Sequence, residues 1–150
     1  MNTASKRFSK LLSLIASYTS VLVFIIFAST VLLNRDTPQC TPTIHSNSKT
    51  CMVFTPNIDI SKTINYNVKE AYIYLVHKTQ ENGVVVEQTV WSTLAKKEKT
   101  ASLFEKAVAY TKNSKMPLTA GTYVLKGSYF PYIGIIKSKT FAEFSSTPSK

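Results

Sequence analysis

An antiparallel β-sandwich, an all-β domain preceded by a single N-terminal transmembrane helix, is the architecture that this sequence predicts. Three observations predict it. Residues 11–33, LLSLIASYTSVLVFIIFASTVLL, run for 23 positions without a charge, where about 20 apolar residues in a helix cross the hydrocarbon layer. Beyond residue 51, short runs rich in Val, Ile, Tyr, Phe and Thr alternate with turn residues, the pattern of strands. Between two such runs stands Asn82–Gly83, a strong hairpin signal, because a type I′ turn needs positive φ at both central residues.

Taken in order, residues 1–10 form a basic leader in which Lys6, Arg7 and Lys10 precede the apolar run, whereas Arg35 and Asp36 after it nearly cancel. The positive-inside rule then leaves the leader in the cytosol and carries the rest across the membrane. A cleaved signal peptide is the rival, but its apolar core would be about 7–15 residues long. Here Ala28-Ser29-Thr30 is followed by three more aliphatics, so a retained anchor over 11–33 is expected. Residues 34–51, with two prolines, several Ser and Thr and no apolar periodicity, read as a spacer. In an oxidising lumen Cys40 and Cys51 could close a small loop worth about 2–3 kcal/mol; the alternative is two free thiols.

The β domain is expected over 52–145, with a polar tail at 146–150. Its first run, Met52–Ile60, contains Pro56, which limits it to an edge or bulged strand. Lys69–Thr79 and Val84–Trp91 then form the hairpin. A two-residue turn sets Lys78 opposite Glu87, Val76 opposite Thr89, Leu75 opposite Val90 and Tyr74 opposite Trp91, pairing opposite charges and two aromatics. Tyr72, Tyr74, Val76 and Trp91 would share one face, and Ile73, Leu75 and Val90 the other. An antiparallel strand with one wet side alternates apolar and polar residues; this one is apolar on both. One face therefore needs the domain's own second layer. The other needs either a partner protein or more of the same chain, with Tyr72, Tyr74, Val76 and Trp91 as the candidate anchors. Residues 100–110, TASLFEKAVAY, fit a helical stripe or a strand equally. Gly121–Phe130 and Ile135–Phe144 are two more strands, for about five to seven in all.

The chain carries a formal charge of +10; three of its 18 basic residues precede the anchor, leaving 15 against all 8 acids, or +7 beyond it. The lysines are scattered and one Arg lies beyond the anchor, so the balance reads as a solvated surface, with attraction to anionic headgroups as the sharper alternative, and not as a nucleic-acid site. Catalytic carriers are few. His45 and His77 are the only histidines, and neither G-x-S-x-G nor H-E-x-x-H nor a glycine-rich phosphate loop occurs. No cofactor, metal or small-molecule ligand is expected, and the protein reads as a non-enzyme.

Three segments stand out: residues 64–75, INYNVKEAYIYL, with Asn67, Val68 and Lys69 after an aromatic; Val86–Trp91, ending in Trp91; and Pro131-Tyr132-Ile133-Gly134-Ile135-Ile136. In this order they resemble the aromatic-N-V-K strand, the next strand ending in Trp, and the P-x-x-G-I turn before the last strand of signal peptidase complex subunit 3, the 22/23-kDa subunit family of the endoplasmic reticulum enzyme. The resemblance implies a type II, single-pass protein of the endoplasmic reticulum membrane. Its lumenal sandwich would brace the catalytic subunit, beside other small membrane subunits, during signal peptide removal. The catalytic S-M-x-P context is absent: Ser114-Lys115-Met116-Pro117 has Lys between Ser and Met. There is also no N-x-[ST] acceptor, although members of the family are often glycosylated. The competing reading is a membrane-anchored adhesion or receptor-like sandwich.

Overall fold

The computed structural model describes residues 4–33, 37–81, 83–96, 101–112 and 116–145. The chain divides into two compact units, residues 1–35 and 36–150.

In the first unit a single helix, α1 (Ala4–Leu33), covers 30 residues, about 45 Å at 1.5 Å per residue. It begins ahead of the apolar run, taking in the basic leader from Ala4. The helix is long and apolar enough to cross a membrane. Three of its hydroxyls bond back within it: Thr19 Oγ1 donates to the Ile15 carbonyl at 2.8 Å, Ser20 Oγ to that of Ala16 at 2.9 Å and Ser29 Oγ to that of Ile26 at 2.9 Å. Such back-bonding lets Ser and Thr sit in an apolar helix without an orphaned polar group.

The second unit is mostly β. Among the described residues it holds β1 (Thr43–Asn47), β2 (Cys51–Thr55), β3 (Ile58–Asp59), β4 (Val68–Glu81), β5 (Val84–Ala95), β6 (Ser102–Leu103), β7 (Ala107–Tyr110), β8 (Thr122–Pro131) and β9 (Lys137–Ser145). They form three antiparallel sheets, in the orders β1-β2-β7, β3-β6 and β5-β4-β8-β9. One apolar cluster draws on all three, with Met52, Phe54 and Ala109 from the first, Ile58 from the second, and Ile73, Leu75, Tyr123, Leu125 and Tyr129 from the third.

Within the segment 100–110 two short strands form, β6 and β7, and no helix among its described residues. The run Met52–Ile60 is split at Pro56–Asn57 into β2 and β3, and Asn57 takes a left-handed φ of 48° with its amide donating to the Thr41 carbonyl at 3.0 Å. Proline cannot donate to a ladder, and Asn tolerates the left-handed region, so the break falls there. The expected spacer is corrected. Within 34–51, β1 pairs with β2 through Thr43↔Thr55 and Ile44↔Phe54, and Asn47 donates to the Leu118 carbonyl at 2.9 Å. Ile44, the one apolar residue of β1, packs on the core, too little periodicity for the sequence to show a strand.

The hairpin turn forms with two residues between Glu81 and Val84, and Gly83 has φ 81°; Asn82 lies outside the described residues. A second glycine has a different task. Gly121, at φ 109°, lies where a Cβ would strike the Lys78 carbonyl oxygen and the His77 ring. This close approach lets His77, fully buried, hydrogen-bond the Ala120 carbonyl through Nε2 at 2.6 Å while its ring stacks on Tyr123 at 4.8 Å. His77 is therefore a packing residue in a stack that continues to Phe144.

Candidate functional site

The four-stranded sheet decides where the candidate anchors point. From Glu81↔Val84 through Lys78↔Glu87 to Val76↔Thr89 the expected register holds. It then shifts: Leu75 pairs with Trp91 and Tyr74 with Ser92. Val90 is the additional residue of a β-bulge. A bulge sets two residues of one strand against one of the other, so Val90 and Trp91 both turn toward the core opposite Leu75. Val90 belongs to the apolar cluster, and Trp91 meets Phe54 edge-on with ring centroids 5.3 Å apart. The expectation that Trp91 shares a face with Tyr72, Tyr74 and Val76 is thus overturned by one extra residue in β5.

The remaining three stay together on the opposite face. Tyr72 and Tyr74 are half-buried and stack at 5.3 Å with their planes 24° apart. Val76 is only 5% exposed and Val124, its partner on β8, 3%. Leu94, two residues beyond Ser92 on β5, is 50% exposed on the same side. Beside the aromatics lies a charge cluster in which Glu87 meets Lys78 at 2.7 Å and Lys126 at 3.7 Å. The hydrogen bond from Lys78, then the charge of Lys126, hold the Glu87 carboxyl below its ordinary range, and the same bond raises Lys78. In solvent such pairs contribute little stability; here they fix which parts of the face are apolar and which charged.

The motif residues other than Trp91 converge at the end of the sheet where β4 begins and β8 ends. Asn67 is 2% exposed. Its Nδ2 donates to the Ile133 carbonyl at 2.7 Å, its Oδ1 accepts from the Ile133 amide at 3.0 Å, and its own carbonyl accepts from the Tyr132 amide at 2.8 Å. Val68 pairs with Pro131, and Gly134 takes φ 124° to let the turn close. Two segments 66 residues apart in sequence are one structural unit. Next to it Asn65, Tyr66, Val68, Lys69, Glu70, Lys96 and Tyr132 line a cleft of about 370 Å³.

The cysteines are both free, which overturns the disulfide. Cys40 bridges Ile58 and donates its thiol to the Pro56 carbonyl at 3.1 Å, beyond the C-terminal end of β2, whereas Cys51 starts that strand opposite Tyr110. The length of β2 alone is about 13 Å at 3.3 Å per residue, too far for a bridge. Burial pushes the Cys40 thiol from an ordinary 9.0 to about 11. At pH 8 that shift is expected to slow its alkylation about a hundredfold relative to a solvated thiol. A timed iodoacetamide pulse with peptide mapping measures it, and equal labelling of Cys40 in native and urea-unfolded protein would contradict the burial.

Among the described residues no three His, Cys, Asp or Glu side chains cluster to hold a metal ion. His45 Nε2 lies 2.7 Å from Thr55 Oγ1, a cross-strand contact between β1 and β2. Glu98, Ser114 and Lys115 lie outside the described residues. What the surfaces offer chemically is recognition: an apolar and aromatic sheet face, and an aromatic cleft with amines. No protein-family model matches this chain, and no curated protein matches it.

Proposed function

We propose that this chain is a type II membrane protein of the endoplasmic reticulum, a non-catalytic accessory subunit of the signal peptidase complex. The three- and four-stranded sheets are read as the two layers of a lumenal β-sandwich that braces the catalytic subunit during signal peptide removal. The observation that carries this reading is the Asn67 clamp. Two segments of the resemblance, the N-V-K strand and the P-x-x-G turn, the latter a weak likeness alone, need each other: the Asn67 side chain bonds both backbone groups of Ile133. A retained motif with a joint structural task is better support than two isolated likenesses.

The dock for the catalytic subunit is the outer face of the four-stranded sheet around Tyr72, Tyr74 and Val76. One face of this sheet supplies the core, and the other carries partly buried aromatics of the kind that anchor interfaces. Rigidity in such a bracing layer holds a neighbouring active centre in register without adding chemistry to it.

Native purification from source membranes followed by mass spectrometry is the test. A serine peptidase is expected to co-purify with the wild-type chain in reticular membranes, and its recovery is expected to fall at least about tenfold when Tyr72 and Tyr74 are both replaced by Ala, a loss of about 1.4 kcal/mol or more in binding. Export of the protein to the cell surface with no peptidase attached would instead favour the adhesion-type reading. Full recovery from the folded double variant would move the dock elsewhere.

A further inference from the structure

The cleft beside the Asn67 clamp combines three chemistries. Lys69 and Lys96 supply amines, Glu70 a carboxylate whose Oε2 lies 3.9 Å from Lys96 Nζ, and Tyr66 and Tyr132 aromatic rings. Both tyrosines are well exposed, at 59% and 68%, and the adjoining turn presents Ile135 and Ile136 at 70% and 56%. Isolated exposed aliphatics are unremarkable on a soluble surface. Two tyrosines and two lysines lining one cleft, with two exposed isoleucines a few residues along the chain from Tyr132, are a different composition. Tyrosine sits at the level of lipid headgroups, lysine is drawn to their phosphates, and aliphatic side chains at such a site gain by entering the acyl boundary.

We propose that this cleft binds a phospholipid headgroup and seats this end of the β domain on a bilayer surface. The phosphate lies against Lys69 and Lys96, a charge-assisted contact. The cationic end of a choline or ethanolamine group meets the Tyr66 and Tyr132 rings, as quaternary ammonium ligands do in aromatic cages, with Glu70 closing the charge balance. Ile135 and Ile136 reach toward the acyl chains. The occupant is a lipid and not a protein for two reasons. The charges match a zwitterion group by group, and the chain is tethered close by: six residues, 34–39, separate Leu33 from Cys40, a reach of roughly 24 Å when extended. Cys40 bridges Ile58, and the short connection from Ile60 to Asn67 leads from there into the cleft. The proposal rests on α1 spanning a bilayer and is independent of which protein the sheet face binds.

The test uses the full chain in phosphatidylcholine vesicles, with flotation through alkaline carbonate as the check on insertion. Tyr132→Trp places an indole at the cleft mouth, and wild-type emission gives the background from Trp91, packed against Phe54. Brominated phosphatidylcholine is expected to quench the added emission by at least about half, and Lys69→Glu with Lys96→Glu in the same background to abolish most of that quenching, since the reversed charges repel the headgroup phosphate. Unchanged circular dichroism shows that the charge reversals leave the fold intact. Added emission quenched no more than Trp91, or quenched equally after charge reversal, overturns the proposal. So does an indole shielded only when a co-purifying protein is added, which assigns the cleft to a protein partner. A chain that fails to float overturns both this proposal and the membrane-spanning reading of α1, whereas a floating chain with an unquenched indole overturns this proposal alone.

Discussion

Trp91→Ala is expected to destabilise the β domain by about 3 kcal/mol, the lower end of the range for removing a core tryptophan. The lower end applies because Trp91 keeps some exposure while its ring packs edge-on against Phe54. It also borders a second cleft lined by Pro56, Leu103 and Ala107, so truncation there exposes apolar surface to water and does not leave a sealed void. For a unit of this size the loss corresponds to a melting point lower by about 10–15 °C. Tyr74→Ala is expected to cost about 1 kcal/mol, chiefly its stacking with Tyr72 at 5.3 Å. Urea titrations of the two variants measure the difference, with unchanged m-values showing that the comparison is between like states. Equal costs would mean that the two aromatics share an environment, and the bulge at Val90 would then be misassigned. The inequality also separates fold from binding: lost partner recovery in a Tyr74 variant of near-normal stability reports the sheet face, while the same loss in Trp91→Ala reports unfolding.

The hairpin shows where a sequence is legible and where it stops being so. Asn-Gly between two β-rich runs fixes the loop length, and loop length fixes register as long as each residue faces one other. That argument reaches correctly from Glu81↔Val84 to Val76↔Thr89. Nothing in alternation announces an inserted residue, and a one-residue slip exchanges the two faces, so the face assigned to Trp91, the residue after Val90, is inverted. The adjacency of Val90 and Trp91, two large apolar residues in succession, is the only local sign of a place where both point inward. β1 was hidden for a related reason: a five-residue strand, TIHSN, with one aliphatic facing the core resembles a polar linker. The motif residues stood out by their type and spacing, but their partnership did not. No local rule brings Asn67 to Ile133 across 66 residues; only the antiparallel pairing of β4 with β8 does, by setting Val68 against Pro131.

That partnership gives the second large effect. Asn67→Ala is expected to cost about 2–3 kcal/mol, because it deletes two hydrogen bonds and leaves two backbone groups of Ile133 without the partner that shields them. The site is 2% exposed at Asn67, so water cannot readily replace the amide. Asn67→Asp discriminates between loss of packing and loss of hydrogen bonding. Aspartate fills the same volume and can still accept from the Ile133 amide, but its second oxygen would face the Ile133 carbonyl, where Nδ2 donates at 2.7 Å. A buried carboxylate against a carbonyl oxygen is repulsive and loses its hydration, so Asp is expected to be at least as harmful as Ala. The bond from the Tyr132 amide to the Asn67 carbonyl, at 2.8 Å, is made by backbone and survives either substitution. The turn should therefore loosen without detaching, and hydrogen exchange at the Ile133 amide should accelerate far more than at Tyr132. An Asp variant as stable as the wild type would show that volume alone holds the turn, and the clamp would lose its place as the link between the two halves of the motif.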